Sequence, residues 1–271
     1  AKASTPNYSH RTGPNTRTSQ AIRKRSDMDS IRPATFQIPA AVRELGWAAL
    51  LLFFVLLSVH EWFSPPGWFG LLAILIFATQ GALILTRWPA RQNFGWANRT
   101  TLLRSILVVS LVAWAPFLPA ADSSALWIYG VACLIALILD GVDGKVARAT
   151  NSNSEFGARF DMELDALFIL GLCVAAMAIG KAGPWVLMLA LMRYAFLAAS
   201  HFLTWLNQPL PDSFRRKTIC VWQIVTLMIA ILPPTPTGFA GTTLAMALAL
   251  LGWSFALDVR WLYQRRHYHE N

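Results

Sequence analysis

The chain has 271 residues, of which 55% are hydrophobic and 14% charged, and its mean hydropathy is +0.45. These values exclude an ordinary soluble globular domain, because about 25% of the residues in such a domain are charged. The net charge of +9 could indicate a nucleic-acid partner, but much of the excess lies in a polar tail and in short loops. Basic residues there set membrane topology or contact anionic lipid headgroups, so we expect an all-α integral membrane protein and no nucleic-acid partner.

Residues 1–39 are rich in Ser, Thr, Pro, Asn and Arg and have no apolar periodicity, which predicts a disordered basic cytoplasmic tail. Eight apolar segments follow, and each is long enough, or nearly so, to cross a hydrocarbon core of ~30 Å as a helix. The predicted spans are residues 42–60, 67–86, 100–119, 124–141, 160–180, 183–206, 218–233 and 238–257.

Basic residues are concentrated on one side of these spans, whereas the opposite side has Lys181 as its only Lys or Arg. The positive-inside rule therefore places both termini in the cytoplasm, which agrees with an even number of spans. We predict the inner (cytoplasmic) membrane of a bacterium as the location. The basic residues on the cytoplasmic side are Arg87, Arg91, Arg99, Lys145, Arg148, Arg159, Arg215, Arg216, Lys217, Arg260, Arg265 and Arg266.

Four aspartates lie at the junction of the fourth and fifth spans, in "DGVDGKVARATNSNSEFGARFDMELD". A carboxylate in the middle of a membrane helix costs about 2.5–3.5 kcal/mol, so something must compensate these charges. Asp140 and Asp143 are three residues apart and Asp161 and Asp165 are four apart, so each pair projects from one helical face. The short polar connection predicts antiparallel neighbouring helices, and the two pairs then converge.

Converging carboxylates repel one another unless divalent cations lie among them, and oxygen ligands favour Mg²⁺, Mn²⁺ or Ca²⁺. Gly141 and Gly144 lower helix propensity, which suggests close approach by a ligand or by another helix. An EF-hand is excluded, because its alternating acidic residues and terminal Glu are absent. The alternative is plain salt bridging to Lys145, Arg148 and Arg159.

Written as spacings, this stretch resembles the signature of the CDP-alcohol phosphotransferase (CDP-alcohol phosphatidyltransferase) family without departures. The matching positions are Asp140, Asp143, Gly144, Ala147, Arg148, Gly157, Asp161 and Asp165. A shorter stretch upstream, "NRTTLLR", is similar to the family's segment on the first core helix, which faces the nucleotide. Its matching residues are Asn98, Thr101 and Arg104. By itself that stretch is also an ordinary helix start, with Asn98 as N-cap.

The resemblance implies a catalytic core of six transmembrane helices at residues 98–262, preceded by two additional spans at 40–97 and followed by a tail at 263–271. It also implies that the four aspartates bind two ions, Mg²⁺ or Mn²⁺, and that Asp165 acts as general base. By the same resemblance, Gly157 lets the two helices approach closely. The residues it assigns to the CDP pocket are Asn98, Thr101, Arg104, Gly144, Ala147, Arg148 and Gly157.

The implied reaction transfers a phosphatidyl group from CDP-diacylglycerol to an alcohol acceptor and releases CMP. The alternative is transfer from CDP-choline or CDP-ethanolamine to diacylglycerol. Met162 and Ala166 stand where the glycerol-phosphate branch typically has Pro and Lys, so that branch is not indicated and the acceptor stays unidentified. Membrane lipids are expected partners, and a homodimer is one option for the assembly. A divalent-cation transporter or an inactive scaffold is the non-enzymatic alternative, although no internal repeat supports a transporter.

Basic residues on the catalytic side are candidates for binding an anionic acceptor. Arg193 lies inside the sixth span, where an unpaired cation is costly, so it either binds a ligand or pairs with one of the aspartates. Arg215 and Lys217 open the seventh span, where a topological anchor is the alternative role. Arg159 completes this candidate set. Glu163 lies off the face of the motif aspartates and is not predicted as a ligand.

Overall fold

All regular secondary structure in the described part of the chain is helical. The computed structural model describes residues 40–87, 95–149, 155–208, 210 and 213–266, without the side chains at 87, 96–97, 143–149, 155, 204, 207 and 266. The α-helices are α1 (Ala40–Phe63), α2 (Trp68–Arg87), α3 (Gly95–Trp114), α4 (Ser123–Ala149), α5 (Glu155–Ala178), α6 (Met188–Phe202), α7 (Phe214–Ile231) and α8 (Thr237–Arg266). Short 3₁₀ segments cover Ala115–Ala120, Pro184–Leu187 and Thr204–Asn207.

Each predicted apolar segment coincides with one of these α-helices, but only six helices in the described ranges are long and apolar enough to cross a membrane. The exceptions are α5 and α7. Charged residues are the reason, because α5 carries Asp161, Glu163 and Asp165 and α7 begins with Arg215, Arg216 and Lys217. The membrane character of the chain therefore stands, whereas the count of eight spans is not confirmed. The predicted tail at 1–39 lies outside the described residues, and so do residues 267–271 of the tail predicted at 263–271, whereas residues 263–266 belong to α8.

Two helices continue beyond their predicted spans, because hydropathy marks the lipid-buried part of a helix rather than its end. The fourth predicted segment stops at residue 141, but α4 extends to Ala149. The eighth stops at 257, but α8 extends to Arg266. The first aspartate pair therefore lies on one continuous helix, near its C-terminal end.

The C-terminal end of α5 is followed by a glycine that ends the helix. Gly180 has a φ of +72°, which a residue without Cβ adopts at little cost. The amides of Gly180 and Lys181 donate back to the carbonyls of Met177 and Ala176, at 3.1 Å and 2.9 Å. This is the Schellman arrangement that satisfies the last carbonyls of a helix. It ends α5 and turns the chain towards α6.

Helix α3 lies at the centre of the bundle and packs against α1, α2, α4 and α5. Inside the protein, 72% of its most apolar stretch is buried, compared with 22–28% in the other five candidate spans. The contact with α5 is close at Gly171, where a Cβ atom would lie 2.6 Å from Val112 Cγ2 and 3.2 Å from Val112 Cα. Near its N-terminus α3 buries a polar face that contains Asn98, Thr101 and Arg104.

Candidate active site

Three of the four motif aspartates come together at the facing ends of α4 and α5. Asp140, Asp161 and Asp165 each place one carboxylate oxygen within 4.8 Å of the other two. The helical spacing of three and four residues brings each pair to one face. In the described residues α4 and α5 pack mainly on α3 and not on each other, so the predicted packing of these two helices as direct neighbours is not confirmed, and Arg104 of α3 joins their aspartates. The side chain of Asp143 lies outside the described residues, so its predicted place in the cluster stays a prediction.

A guanidinium group from α3 lies among these carboxylates. Arg104 is only 2% exposed, and its Nη1 donates to Asp140 Oδ1. Its Nη2 donates to Asp165 Oδ1 over 2.6 Å, and Nη1 is 3.1 Å from Asp161 Oδ1. The three aspartate side chains are 37–40% exposed. The cluster therefore has a buried positive charge on one side and an accessible acidic surface on the other.

The cluster has the donor set of a site for a hard divalent cation. Arg104 supplies one positive charge to three carboxylates, so an excess of negative charge remains. Asp161 Oδ1 is buried and accepts no hydrogen bond within the described residues, although the guanidinium is near. Metal–oxygen bonds of about 2.0–2.6 Å let one ion span oxygen atoms up to roughly 5 Å apart. The residues present thus fit Mg²⁺ or Mn²⁺.

The contact with Arg104 was not foreseen from the sequence. The salt-bridge hypothesis named Lys145, Arg148 and Arg159, whereas the structure places a residue of α3 against the aspartates. Arg159 itself is exposed, and the side chains at 145 and 148 are among those not described. The sequence did contain a signal for this contact. An unpaired cation in an apolar helix is costly, so Arg104, like Arg193, is expected to have an acidic partner.

The other residues predicted for the CDP pocket are only partly described. Asn98 and Thr101 are 4% and 5% exposed and lie one turn apart on the buried polar face of α3, which continues to Arg104. Gly157 is half-buried in the first turn of α5. The side-chain positions at Gly144, Ala147 and Arg148 fall outside the described set, so their assignment stays a prediction.

Among the described residues, no other helix approaches Gly141. A Cβ atom built there would meet no described atom within 4 Å. Gly141 is exposed and leaves open space beside the half-buried Asp140. Of the two explanations offered for this glycine, approach by a ligand is the one that the open space allows.

Arg193 pairs with a glutamate rather than with one of the aspartates. Its Nη2 is 2.8 Å from Glu163 Oε1, and Nη1 donates to the carbonyl of Met162 over 2.6 Å. The Tyr194 hydroxyl donates to Glu163 Oε2 over 3.0 Å. Glu163 thus faces α6, as its position off the aspartate face indicates. These contacts join α6 to the middle of the aspartate motif.

A cavity of about 460 Å³ lies between the N-terminal end of α7 and the C-terminal end of α8. Arg215 donates to Ser254 O and Oγ over 2.7 and 2.8 Å and to Asp258 Oδ1 over 2.5 Å. Arg216 is 3.6 Å from Asp258 Oδ2, and Arg260 also lines the cavity. Three guanidinium groups thus accompany one carboxylate in the lining. We call this cavity the arginine pocket. Lys217 is exposed nearby on α7.

The fold and the site together define a helical membrane protein with an acidic centre at one end of its central helices, and the oxygen atoms of this centre suit a metal cation. The sequence model of a known family agrees with the motif that builds this centre. That model, CDP-alcohol phosphatidyltransferase, matches residues 94–257, so the chain belongs to this family of transferases. The family predicted from the aspartate spacing is thereby confirmed.

Two relatives bear the name cholinephosphotransferase 1. The protein from Gallus gallus is 28% identical over 148 residues, which cover 52% of this chain and 42% of the relative. The protein from Xenopus laevis is 34% identical over 91 residues, covering 31% of this chain and 22% of the relative. The chain therefore matches less than half the length of these curated relatives. No solved structure matches the chain.

Proposed function

We propose that the chain transfers a phosphatidyl group from CDP-diacylglycerol to an alcohol acceptor, with release of CMP. The observation that carries this proposal is the convergence of Asp140, Asp161 and Asp165 within a matched family domain. Phosphoryl transfer requires positioning and neutralisation of charge more than covalent chemistry by the protein. Acidic residues that gather cations beside the polar face of α3 meet that requirement.

The aspartates of α4 and α5 would hold Mg²⁺ or Mn²⁺, with Asp143 as the fourth ligand expected from the motif. When bound, two such ions would supply charge neutralisation for the diphosphate. Asn98, Thr101 and Arg148 would bind the cytidine diphosphate part of the donor. Gly144, Ala147 and Gly157 would leave room for it.

Asp165 is the proposed general base. In the reaction the acceptor hydroxyl oxygen forms a bond to the phosphorus distal to cytidine, and the bond from that phosphorus to the CMP oxygen breaks. The hydroxyl proton passes to the Asp165 carboxylate. Its Oδ1 already accepts a hydrogen bond from Arg104, which fixes the orientation of the side chain. A positioned base of this kind contributes about 10²–10⁴-fold to the rate.

The arginine pocket supports an anionic acceptor. Three guanidinium groups with one carboxylate leave an excess of positive charge, and arginine binds phosphate and carboxylate groups in a bidentate manner. Arg193 and Lys217 are further candidates, although Arg193 already pairs with Glu163. Diacylglycerol is neutral and has no need of such a pocket. This charge distribution favours CDP-diacylglycerol as the donor.

The names of the two relatives favour the second candidate function, in which CDP-choline is the donor and diacylglycerol the acceptor. The aspartate centre serves both reactions equally, because both cleave the same diphosphate bond. The acceptor side of the site is therefore where the two candidates differ.

The relatives come from vertebrates, so the bacterial inner membrane stays a prediction. The proposed cytoplasmic position of the active site rests on the clustered arginines.

The test is a crossed substrate screen with the full chain in lipid nanodiscs containing Mg²⁺ or Mn²⁺. CDP-diacylglycerol is combined with glycerol 3-phosphate, serine, inositol, inositol phosphate and choline, and CDP-choline with diacylglycerol. CMP release and lipid mass spectrometry are measured together. We expect CMP only with CDP-diacylglycerol and an anionic acceptor. Phosphatidylcholine from CDP-choline would establish the second candidate. Metal uptake into vesicles without CMP release would favour a transporter.

A further inference from the structure

Helices α1 and α2 lie outside residues 94–257, the part of the chain that the family's sequence model matches. They nevertheless pack directly on α3. One face of α1 is buried in its N-terminal half, at Ala41, Leu45, Ala48 and Leu52, and is partly buried beyond. Spacings of three and four residues put these side chains on a single stripe, as expected for a helix that docks lengthwise.

Two specific contacts connect α1 with α3, one near each end. Glu44 Oε1 lies 2.8 Å from Arg99 Nη2. At the other end, the rings of Phe63 and Trp114 are 4.7 Å apart. The residue numbers increase together, so the two helices run parallel. Helix α1 therefore contacts α3 near both of its ends, including the N-terminal turn where the polar face begins.

Arg99 lies on the far side of α3 from Thr101 and Arg104, whereas Asn98 is about 100° from it. At about 100° per residue, Thr101 and Arg104 lie roughly 160° and 140° around the helix from Arg99. Glu44 thus binds one face of the N-terminal turns of α3, and Thr101 and Arg104 lie on the opposite face of the same turns. Because the Glu44 side chain is only 15% exposed, its pairing with Arg99 is partly shielded from solvent. Solvent and salt screen such a pair less than a fully exposed one, so the two charges interact more strongly.

We propose that the α1–α2 hairpin is a positioning element, in which the Glu44–Arg99 pair sets the rotation of the N-terminal turns of α3. This proposal rests on the proposed function, because it assumes that Asn98 and Thr101 bind cytidine diphosphate. Small displacements at such a site are costly, since a shift of about 1 Å can reduce a rate by roughly 10²-fold. Glu44 and Arg99 touch no substrate in this account. They act through the residues on the opposite face of α3.

The test uses the full chain in nanodiscs with Mn²⁺ and CDP itself as probe, measured by isothermal titration calorimetry. We expect Glu44→Gln and Arg99→Gln each to raise the CDP dissociation constant by roughly fivefold to tenfold. The double variant is expected to bind CDP as tightly as either single variant does. The exchanged pair, Glu44→Arg with Arg99→Glu, is expected to recover most of the affinity.

Two control variants separate positioning from general loosening of the fold. Leu52→Ala removes an apolar contact farther along the same buried face of α1, so it is expected to lower the melting temperature and leave the CDP affinity unchanged. Arg43→Gln removes a 60% exposed neighbour, 3.6 Å from Glu44, and is expected to change neither quantity.

Unchanged CDP affinity in Glu44→Gln and Arg99→Gln would overturn the inference while leaving the proposed function intact. Equal weakening by Leu52→Ala would also overturn it, because the effect would then be ordinary destabilisation. Absence of CDP binding by the wild-type protein would overturn the proposed function, and the inference with it.

Discussion

The acidic centre and the arginine pocket contain the same kinds of group in opposite proportions. In the centre, one guanidinium from Arg104 meets three carboxylates. In the pocket, Arg215, Arg216 and Arg260 accompany the single carboxylate of Asp258. The excess charge, rather than the presence of ion pairs, therefore distinguishes the two regions. A negative excess fits a metal cation, and a positive excess fits a phosphate or carboxylate.

The largest expected effect concerns the chemistry of the acidic centre. Asp165→Asn removes the proposed base but keeps the side chain's size, so CMP release is expected to fall by about 10²–10⁴-fold. CDP binding, measured by calorimetry, is expected to stay measurable. Asp122→Asn makes the same change at the start of α4, where Asp122 Oδ1 accepts from Ala125 N over 2.9 Å. Because Asn also caps helices, that control should retain activity. Full CMP release by Asp165→Asn would show that Asp165 is not the general base.

The second prediction sharpens the difference in charge excess. Arg104→Gln leaves three half-exposed carboxylates without their guanidinium, so stability is expected to fall by about 2–3 kcal/mol. Mn²⁺ is expected to restore more of the lost melting temperature than it adds to the wild type, because a bound cation replaces the missing charge. Arg215→Gln is the matched control, since Asp258 lies in a positive environment and no rescue by Mn²⁺ is expected. Equal behaviour of both variants would contradict the distinction between the regions.

The third prediction concerns the close packing of α3 on α5, the helices that hold Arg104 and Asp165. Gly171→Ala would place a Cβ atom 3.2 Å from Val112 Cα, and a backbone atom cannot yield as a side chain does. Helices α3 and α5 must separate, at an expected cost of about 1–3 kcal/mol, measured by thermal unfolding. Mn²⁺ affinity should fall with it, since Arg104 and Asp165 lie on these two helices. Gly241→Ala in α8 meets no described atom within 4 Å and should be neutral or stabilising. A stable Gly171→Ala protein would show that this close approach is dispensable.

The smallest expected effect concerns the arginine pocket. Arg215→Gln is expected to raise the KM for an anionic acceptor by about tenfold, the change that corresponds to ~1.4 kcal/mol, with kcat nearly unchanged. The KM for the CDP-activated donor should not change. Lys217→Gln, next to it in sequence but exposed, tests whether charge alone near the membrane surface gives the same result. An unchanged acceptor KM in Arg215→Gln would favour diacylglycerol, a neutral acceptor, and thus the second candidate function.

Local spacing allowed much of the acidic centre to be predicted. Intervals of three and four residues put each pair of aspartates on one helical face, and the predicted convergence of Asp140, Asp161 and Asp165 is confirmed. The route differs from the predicted one, because α4 and α5 each pack on α3. Arg104 was not predicted as their partner, since it lies 36 residues before Asp140 in sequence and 61 before Asp165. Contacts between distant segments depend on how helices pack, which periodicity does not specify.

The fold shows the same limit. All eight apolar segments are helices, but charged residues on α5 and α7 leave six that meet the length and apolarity of a span. The central place of α3 was not visible in hydropathy, since its surroundings are other helices rather than lipid. The partner of Arg193 was also missed. The free-energy cost of an unpaired arginine in an apolar helix predicted that Arg193 has a partner. Only the packing of α6 on α5 identifies that partner as Glu163.

The most direct measurement is a titration of the wild-type protein in nanodiscs with Mn²⁺, with and without CDP, followed by calorimetry and electron paramagnetic resonance. We expect Mn²⁺ to bind, CDP to tighten this binding, and Asp140→Asn or Asp161→Asn to weaken it severely. Absence of Mn²⁺ binding, or binding that neither variant alters, would contradict the claim that these aspartates hold the ions for the reaction.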